Sequence, residues 1–439
     1  MPILPLHWAF CVVVAMQDAS PPPAPPPALE LLDHAHLSSE LKVIADTHKD
    51  VAQFVKLGSS RAGRSLDALR LAGAGAAEDR GRPAILLVAN LDGARVYSSA
   101  VALQHARELA SRYGSDDKVK ALLDTTTLYI VARANPDAAE ARFATPRFEQ
   151  RASGPGVDDD RDGRAGEDPP ADVNGDGVIA WLRTKDADGE WMDDPADARA
   201  LLKADRNKGE RGVYVLWPEG RDSDEDEKVA EDAPLDARID KNFPDGWEQH
   251  AKDAGVFPTD EPETRALCDF VLAHPELTLV VVYDAQDTLV ADVKSVADDA
   301  PFVKRIPPEG VLESDAKNLT ELGKRYKKVT ENAVKAEGND KGTFTRWCYA
   351  ERGLLTLAAT LWDIPLEEKK KDEKKEGEGE AAKGEEKPAE AEKKPEESAP
   401  AAPAERPQGR RGGGGARGQA GAKKEEEAKP AEDAKRLKW

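Results

Sequence analysis

The chain is poor in the residues that most often carry metal and redox chemistry, with 3 cysteines and 7 histidines among 439 residues. Three cysteines cannot build a disulfide framework. Cys11 lies in the apolar N-terminal stretch, so Cys268 and Cys348 form either one disulfide or two buried thiols, and the thiols are the favoured reading. Of His7, His34, His36, His48, His105, His250 and His274, only the close pair His34/His36 has a neighbour at ligand spacing. A satisfied surface or core histidine is therefore the reading for each. Beyond the first residues no apolar run is long enough to cross a bilayer. An excess of positive charge is also lacking: 63 basic against 84 acidic residues give a formal net charge of -21. The excess acid lies before about Leu366, because acids and bases roughly balance afterwards. An acidic globular part argues against nucleic acid or an anionic membrane as the main partner.

What is present divides the chain into four parts. Residues 3–16 (ILPLHWAFCVVVAM) are apolar but too short for a span, so 1–19 reads as a signal peptide and predicts export, periplasmic or extracellular. Residues 20–28 are a stiff proline-rich spacer. A globular domain is expected over 29–365. Residues 366–439 are a Lys/Glu/Ala/Pro-rich low-complexity tail with an Arg-Gly run and, until Trp439, no aromatic residue. Such a segment cannot bury a core and is predicted to be disordered.

Within the globular part, strand and helix patterns alternate. Ala84–Ala89 (AILLVA), Thr127–Ala132 (TLYIVA) and Leu277–Tyr283 (LTLVVVY) are short continuous apolar runs, as strands buried on both faces require. Ser98–Tyr113 has helical spacing, with Ala102, Ala106, Leu109 and Tyr113 on one face; Glu263–Ala273 and the charged Leu312–Glu337 also read as helices. This order predicts an α/β fold, a twisted, mostly parallel mixed sheet flanked by helices. Ligands in such sheets bind beyond the carboxyl ends of the strands. Asn90–Arg95, Asn135–Asp137 and Asp284–Thr288 are thereby expected around one crevice.

Several segments together resemble the zinc carboxypeptidases of the carboxypeptidase A-like family. Gly58-Ser59-Ser60-Arg61-Ala62-Gly63-Arg64 is similar to the family's Gly-x-Ser-x-x-Gly-Arg stretch. Asp92-Gly93-Ala94-Arg95 follows strand AILLVA where the family has its His-Gly-x-Glu zinc motif. Asn135-Pro136-Asp137 matches the family's Asn-Pro-Asp, and Asp240-Lys241-Asn242-Phe243-Pro244 resembles Asn-Arg-Asn-Phe-Pro. Glu261-Pro262-Glu263-Thr264 and the run from Gly342-Thr343-Phe344 to Leu361-Trp362 complete the order. The resemblance covers roughly residues 30–365 and implies the family's mixed sheet with flanking helices.

It also implies where the chemistry ought to be, and there this chain departs. A hydrolytic zinc needs three protein ligands and an open position for water. The first histidine position holds Asp92, the glutamate position Arg95 and the second histidine position Asp284. A guanidinium is always charged and cannot ligate, so an Asp92–Arg95–Asp284 salt-bridged cluster is expected in place of zinc. Thr360 stands where the family has its catalytic glutamate, and a threonine cannot take a proton from water at neutral pH. The family's carboxylate-holding Asn-Arg is here Asp240-Lys241, and Arg151 corresponds loosely to another substrate-side arginine. The expected function is that of a catalytically inactive homologue, an exported binding or scaffold protein whose crevice takes a peptide or a cell-wall fragment. The alternative is an active metallocarboxypeptidase that removes C-terminal residues with an atypical metal site.

An acidic insert, residues 157–183, carries two runs of calcium-loop spacing: Asp158, Asp160 and Asp162 before Gly163, and Asp172, Asn174 and Asp176 before Gly177. The twelfth-position glutamate of a complete loop is Pro169 in one and Arg183 in the other. Calcium, or a solvated loop whose Asx turns satisfy their own backbone, are the two readings.

Overall fold

A computed structural model of the protein describes residues 29–73, 81–153, 168–195, 200–222, 229–230, 237–251, 253–298, 307–332, 334, 341–361 and 436–438. The segments expected to be a signal peptide and a spacer, the first acidic run with Asp158, Asp160 and Asp162, and the tail other than 436–438 lie outside the described residues.

The chain opens with α1 (His34–Thr47), capped by Asp33, whose carboxylate accepts the His36 N–H. A hairpin follows, β1 (Ala52–Ser59) and β2 (Ser65–Leu71), then β3 (Ala84–Ala89), α2 (Val96–Arg112), α3 (Asp117–Thr125), β4 (Thr127–Val131) and the short α4 (Pro136–Glu140). After a long excursion come α5 (Pro262–Ala273), β9 (Leu277–Tyr283), α6 (Glu313–Thr330), α7 (Phe344–Ala350) and β12 (Leu355–Ala359). The central six-stranded sheet has the order β1-β2-β4-β3-β9-β12. The first two pairings are antiparallel, and β4, β3, β9 and β12 run parallel. The fold is the mixed, mostly parallel α/β class expected from the sequence.

The apolar runs of the parallel strands follow from having two cores. Leu86 and Val88 of β3 face the cluster that holds Phe270, Phe344 and Trp347 from α5 and α7. Leu87 and Ala89 face the other cluster, with Leu37, Leu41 and Leu103 from α1 and α2. Successive side chains point to opposite faces, so a strand covered on both sides must be apolar at every position. Cys268 and Cys348 sit in the first cluster as free thiols. Burial pushes Cys268 up to about 12 and Cys348 well above the ordinary range, so both are inert hydrophobes.

The sequence pattern did not disclose a second sheet. β5 (Trp181–Lys185), β6 (Trp191–Asp193), β7 (Ala200–Lys203) and β8 (Tyr214–Pro218) pair antiparallel within the excursion between α4 and α5. Arg436–Lys438 form one further strand, β13, beside β7. That strand departs from the expectation of a wholly structureless tail: the free edge of β7 offers backbone groups for pairing. Helix α6 is also shorter than expected. It ends at Thr330 because Glu331 adopts a left-handed conformation at the C-cap, although the charged pattern runs on. Two short strands, β10 (Ser295–Val296) and β11 (Val311–Leu312), pair just before α6.

Candidate functional site

The crossover from β3 to β4 leaves in one direction, while β9 lies on the other side of β3. The carboxyl ends of β3 and β9 therefore part their connections, which is where open α/β sheets place ligands. Asp92 follows β3, Asp284 follows β9, and Thr360 follows β12.

The turn after β3 is fixed by local chemistry. Asn90 has a positive φ of 61°, which asparagine tolerates better than most residues, and its side-chain amide donates to the Asp92 carbonyl at 2.8 Å. Asp92 Oδ1 accepts the Ala94 N–H at 3.1 Å. Gly93 is required by space: a Cβ there would lie 2.2 Å from Ala138 Cβ and 2.6 Å from the Gln150 carbonyl. Asn135 ties the neighbouring loops to this turn. Its Nδ2 donates to the carbonyls of Leu91 and Arg151, and its Oδ1 caps α4 at the Ala138 N–H.

Asp92 and Asp284 meet beyond the carboxyl ends of β3 and β9, the floor of the expected crevice. The Asp92 N–H donates to Asp284 Oδ2 at 2.8 Å, and both side chains are buried. Arg95 stands over them, its Nε 3.7 Å from Asp92 Oδ2 and 4.0 Å from Asp284 Oδ1. Its Nη1 donates to the Tyr97 hydroxyl at 2.9 Å. Two further guanidiniums reach Asp92 Oδ2: Arg151 Nε and Arg238 Nη2, each at 3.8 Å. These separations give Coulombic contact without hydrogen bonds. Asp92 Oδ2, Asp284 Oδ1 and Arg95 Nε are accordingly buried without hydrogen-bond partners.

Burial pushes the Asp92 carboxyl up and Asp240 adds to the push, while Arg151, Arg238 and Arg95 pull it down. Asp284 is raised well above the usual carboxylate range, first by burial and then by Asp92 and Asp240, against Arg95. Burial pulls Arg95 down, but Tyr97, Asp284 and Asp92 together outweigh it, so the guanidinium stays charged.

The remaining candidates occupy other places around this floor. Asp240 is buried and accepts both arms of Arg238, at 3.0 and 2.7 Å. Lys241 does not point a free charge into the crevice, because its Nζ is bonded to Asp253 at 2.7 Å. Arg151 is the open member, with 55 % of its side chain exposed. The Thr360 hydroxyl donates to the Asp284 carbonyl at 3.0 Å, and so acts as a strut. Arg238 was not among the residues singled out from the sequence. Its only local signal is the Arg-x-Asp spacing to Asp240, in the segment entering the 3-10 turn Ile239–Lys241.

The described histidines lie elsewhere. His34 and His36 open α1, His48 caps its end, His105 packs edge-on to Tyr283 from α2, and His274 pairs with Glu276. Among the described residues no three His, Cys, Asp or Glu side chains converge as a metal site requires. The donor set on the floor does not fit zinc either: two carboxylates remain, and the third position is a cation that repels a dication. In the acidic insert, Asp172 accepts the N–H groups of Gly175, Asp176 and Gly177, while Asn174 and Asp176 each accept the N–H two residues on. Glu219, buried, accepts from Val173, Asn174 and Ala180.

A second polar cluster gathers around Asp137, Glu261 and Glu263. Arg61 donates to the buried Glu261, Arg64 to Asp137, and the Arg61 N–H to Glu263. Burial pushes Glu263 up to about 7, helped by Asp137 and Glu261, and its Oε2 has no partner.

Residues 37–198 match the family model described as zinc carboxypeptidase. Carboxypeptidase D of Drosophila melanogaster is 27% identical over 124 residues, 28% of this chain and 9% of that protein. Carboxypeptidase D of Mus musculus is 38% identical over 104 residues, 20% of this chain and 8% of that protein. The chain thus spans less than a tenth of the length of these relatives. Among solved structures, thrombin activatable fibrinolysis inhibitor aligns with 76% of this chain and 67% of its own, at 13% identity and a TM-score of 0.47. Carboxypeptidase A from Helicoverpa armigera aligns with 76% and 66%, at 14% identity and a TM-score of 0.47.

Proposed function

From the premise that the chain belongs, through residues 37–198, to the zinc carboxypeptidase family, we propose that it is a catalytically inactive member, an exported binding or scaffold protein rather than a peptidase. One observation carries the reading: the Arg95 guanidinium lies within 4.0 Å of both Asp92 and Asp284, where a metal would need a donor atom. Two further features support it. The Thr360 hydroxyl is engaged by the Asp284 carbonyl and offers no base for water, and among the described residues no Ser-His or Cys-His pair stands beside the floor as an alternative nucleophile. The open guanidinium of Arg151 at the mouth suits an anionic group on a bound peptide or cell-wall fragment.

Within this reading the acidic insert takes calcium through Asp172, Asn174 and Asp176, whose side-chain oxygens keep lone pairs beyond those that accept backbone N–H groups.

The test is hydrolysis. Purified protein incubated with a panel of peptides of varied C-terminal residue is expected to leave every peptide intact by mass spectrometry. Release of C-terminal residues that a zinc chelator abolishes would overturn the proposal.

A further inference from the structure

The crevice floor holds two carboxylates, Asp92 and Asp284, with a third, Asp240, close enough to act on both, and three guanidiniums surround them, Arg95, Arg151 and Arg238. Their formal charges cancel. The roles are nevertheless unequal. Arg238 is engaged by both oxygens of Asp240, and Arg151 is more than half exposed. Arg95 alone contacts both floor carboxylates, and its Nε and the facing oxygens Asp92 Oδ2 and Asp284 Oδ1 are buried with no hydrogen bond. An optimised guanidinium–carboxylate pair closes to about 2.7–2.9 Å. Arg95 is held short of that by its bond to Tyr97 and by its place as N-cap of α2. A helix N-terminus also disfavours a cation, so local helix chemistry gives no reason for arginine at this position. The two acids do.

We propose that Arg95 is a built-in counter-cation that takes the electrostatic place of a divalent metal between Asp92 and Asp284 and that, with Arg151 and Arg238 beside Asp92, it keeps cations out of the floor. The proposal rests on the reading that the native crevice holds no metal. Replacing Arg95 by glutamate removes one positive charge and adds one negative, so the six-group set changes from neutral to a formal charge of about -2, matching a dication. The resulting donors, all carboxylate, suit a hard cation such as Mn2+.

The experiment titrates Mn2+ into wild type, Arg95→Glu and Arg95→Glu/Asp284→Asn, with free Mn2+ followed by electron paramagnetic resonance and unfolding by circular dichroism. The wild-type titration corrects for any binding at the acidic insert. Arg95→Glu is expected to bind one more Mn2+ per chain than wild type, to melt at a lower temperature without it, and to regain that loss with it. The double variant is expected to lose the added site. Arg95→Gln, which removes the cation without adding an acid, is expected to melt lower and to ignore Mn2+. A folded Arg95→Glu with no added site, an Arg95→Glu that stays unfolded in Mn2+, or an Arg95→Gln as stable as wild type would each overturn the counter-cation while leaving the inactive reading intact. Wild-type uptake of zinc or Mn2+ lost on Asp284→Asn would overturn both.

Discussion

Asp284 shows how closely the floor residues depend on one another. One of its oxygens holds the Asp92 N–H, the other faces Arg95, and its carbonyl accepts the Thr360 hydroxyl. Removing one partner of a buried ion pair leaves the other charge uncompensated, at roughly 3–5 kcal/mol. Asp284→Ala, which strips the Asp92 N–H of its acceptor and Arg95 of one of its two acids, is expected to lower stability in urea titrations by about that order, whereas breaking an exposed pair such as Lys324–Glu321 is expected to leave stability nearly unchanged. Glu263 carries a separate signature. Its carboxyl rises from the ordinary 4.5 to about 7 on burial, so between those values the folded state holds a proton that the unfolded state has lost. Stability is then fully present below about pH 4.5 and falls as pH rises through about 7, by on the order of 3 kcal/mol. Glu263→Gln keeps the shape and cannot titrate; denaturation midpoints compared at about pH 5 and pH 8 are expected to show a smaller fall than in wild type.

At the scale of elements, the turn from β3 into α2 sets the site. Gly93 allows the turn to pass against α4, and a methyl group there would have to displace Ala138 or the Gln150 backbone. Gly93→Ala is expected to destabilise by about 1–3 kcal/mol, read as a lower melting temperature, because overpacking forces a backbone shift. The same scale explains what could be read in advance. β3 and β9 were legible to the residue because a strand with a core on each face is apolar throughout. The small sheet of β5 to β8 was not legible: Trp181 and Trp217 are exposed, and its mixed, half-exposed faces carry neither an apolar run nor a clean alternation. The stop of α6 was hidden because Glu331 takes the left-handed conformation without a glycine to announce it. Asp92, Arg95 and Asp284 were legible through the family motifs around them. Arg238 was not, since its reach to Asp92 depends on how the excursion after α4 returns to the sheet.

For the whole molecule, the strong acidity of the chain and the neutral, ion-paired floor are different facts. A net charge of -21 keeps the protein solvated and repels other polyanions. The floor, by contrast, balances its acids internally with arginines from the β3–α2 turn and from the segments at 151 and 238. In this account the carboxypeptidase architecture persists while its metal position is filled by protein charge. The most direct test is zinc stoichiometry: wild type and Asp284→Asn are each equilibrated with zinc, dialysed and quantified by plasma mass spectrometry. The account predicts the same zinc content in both proteins, with none assignable to the crevice. One zinc per wild-type chain that disappears in Asp284→Asn would contradict it.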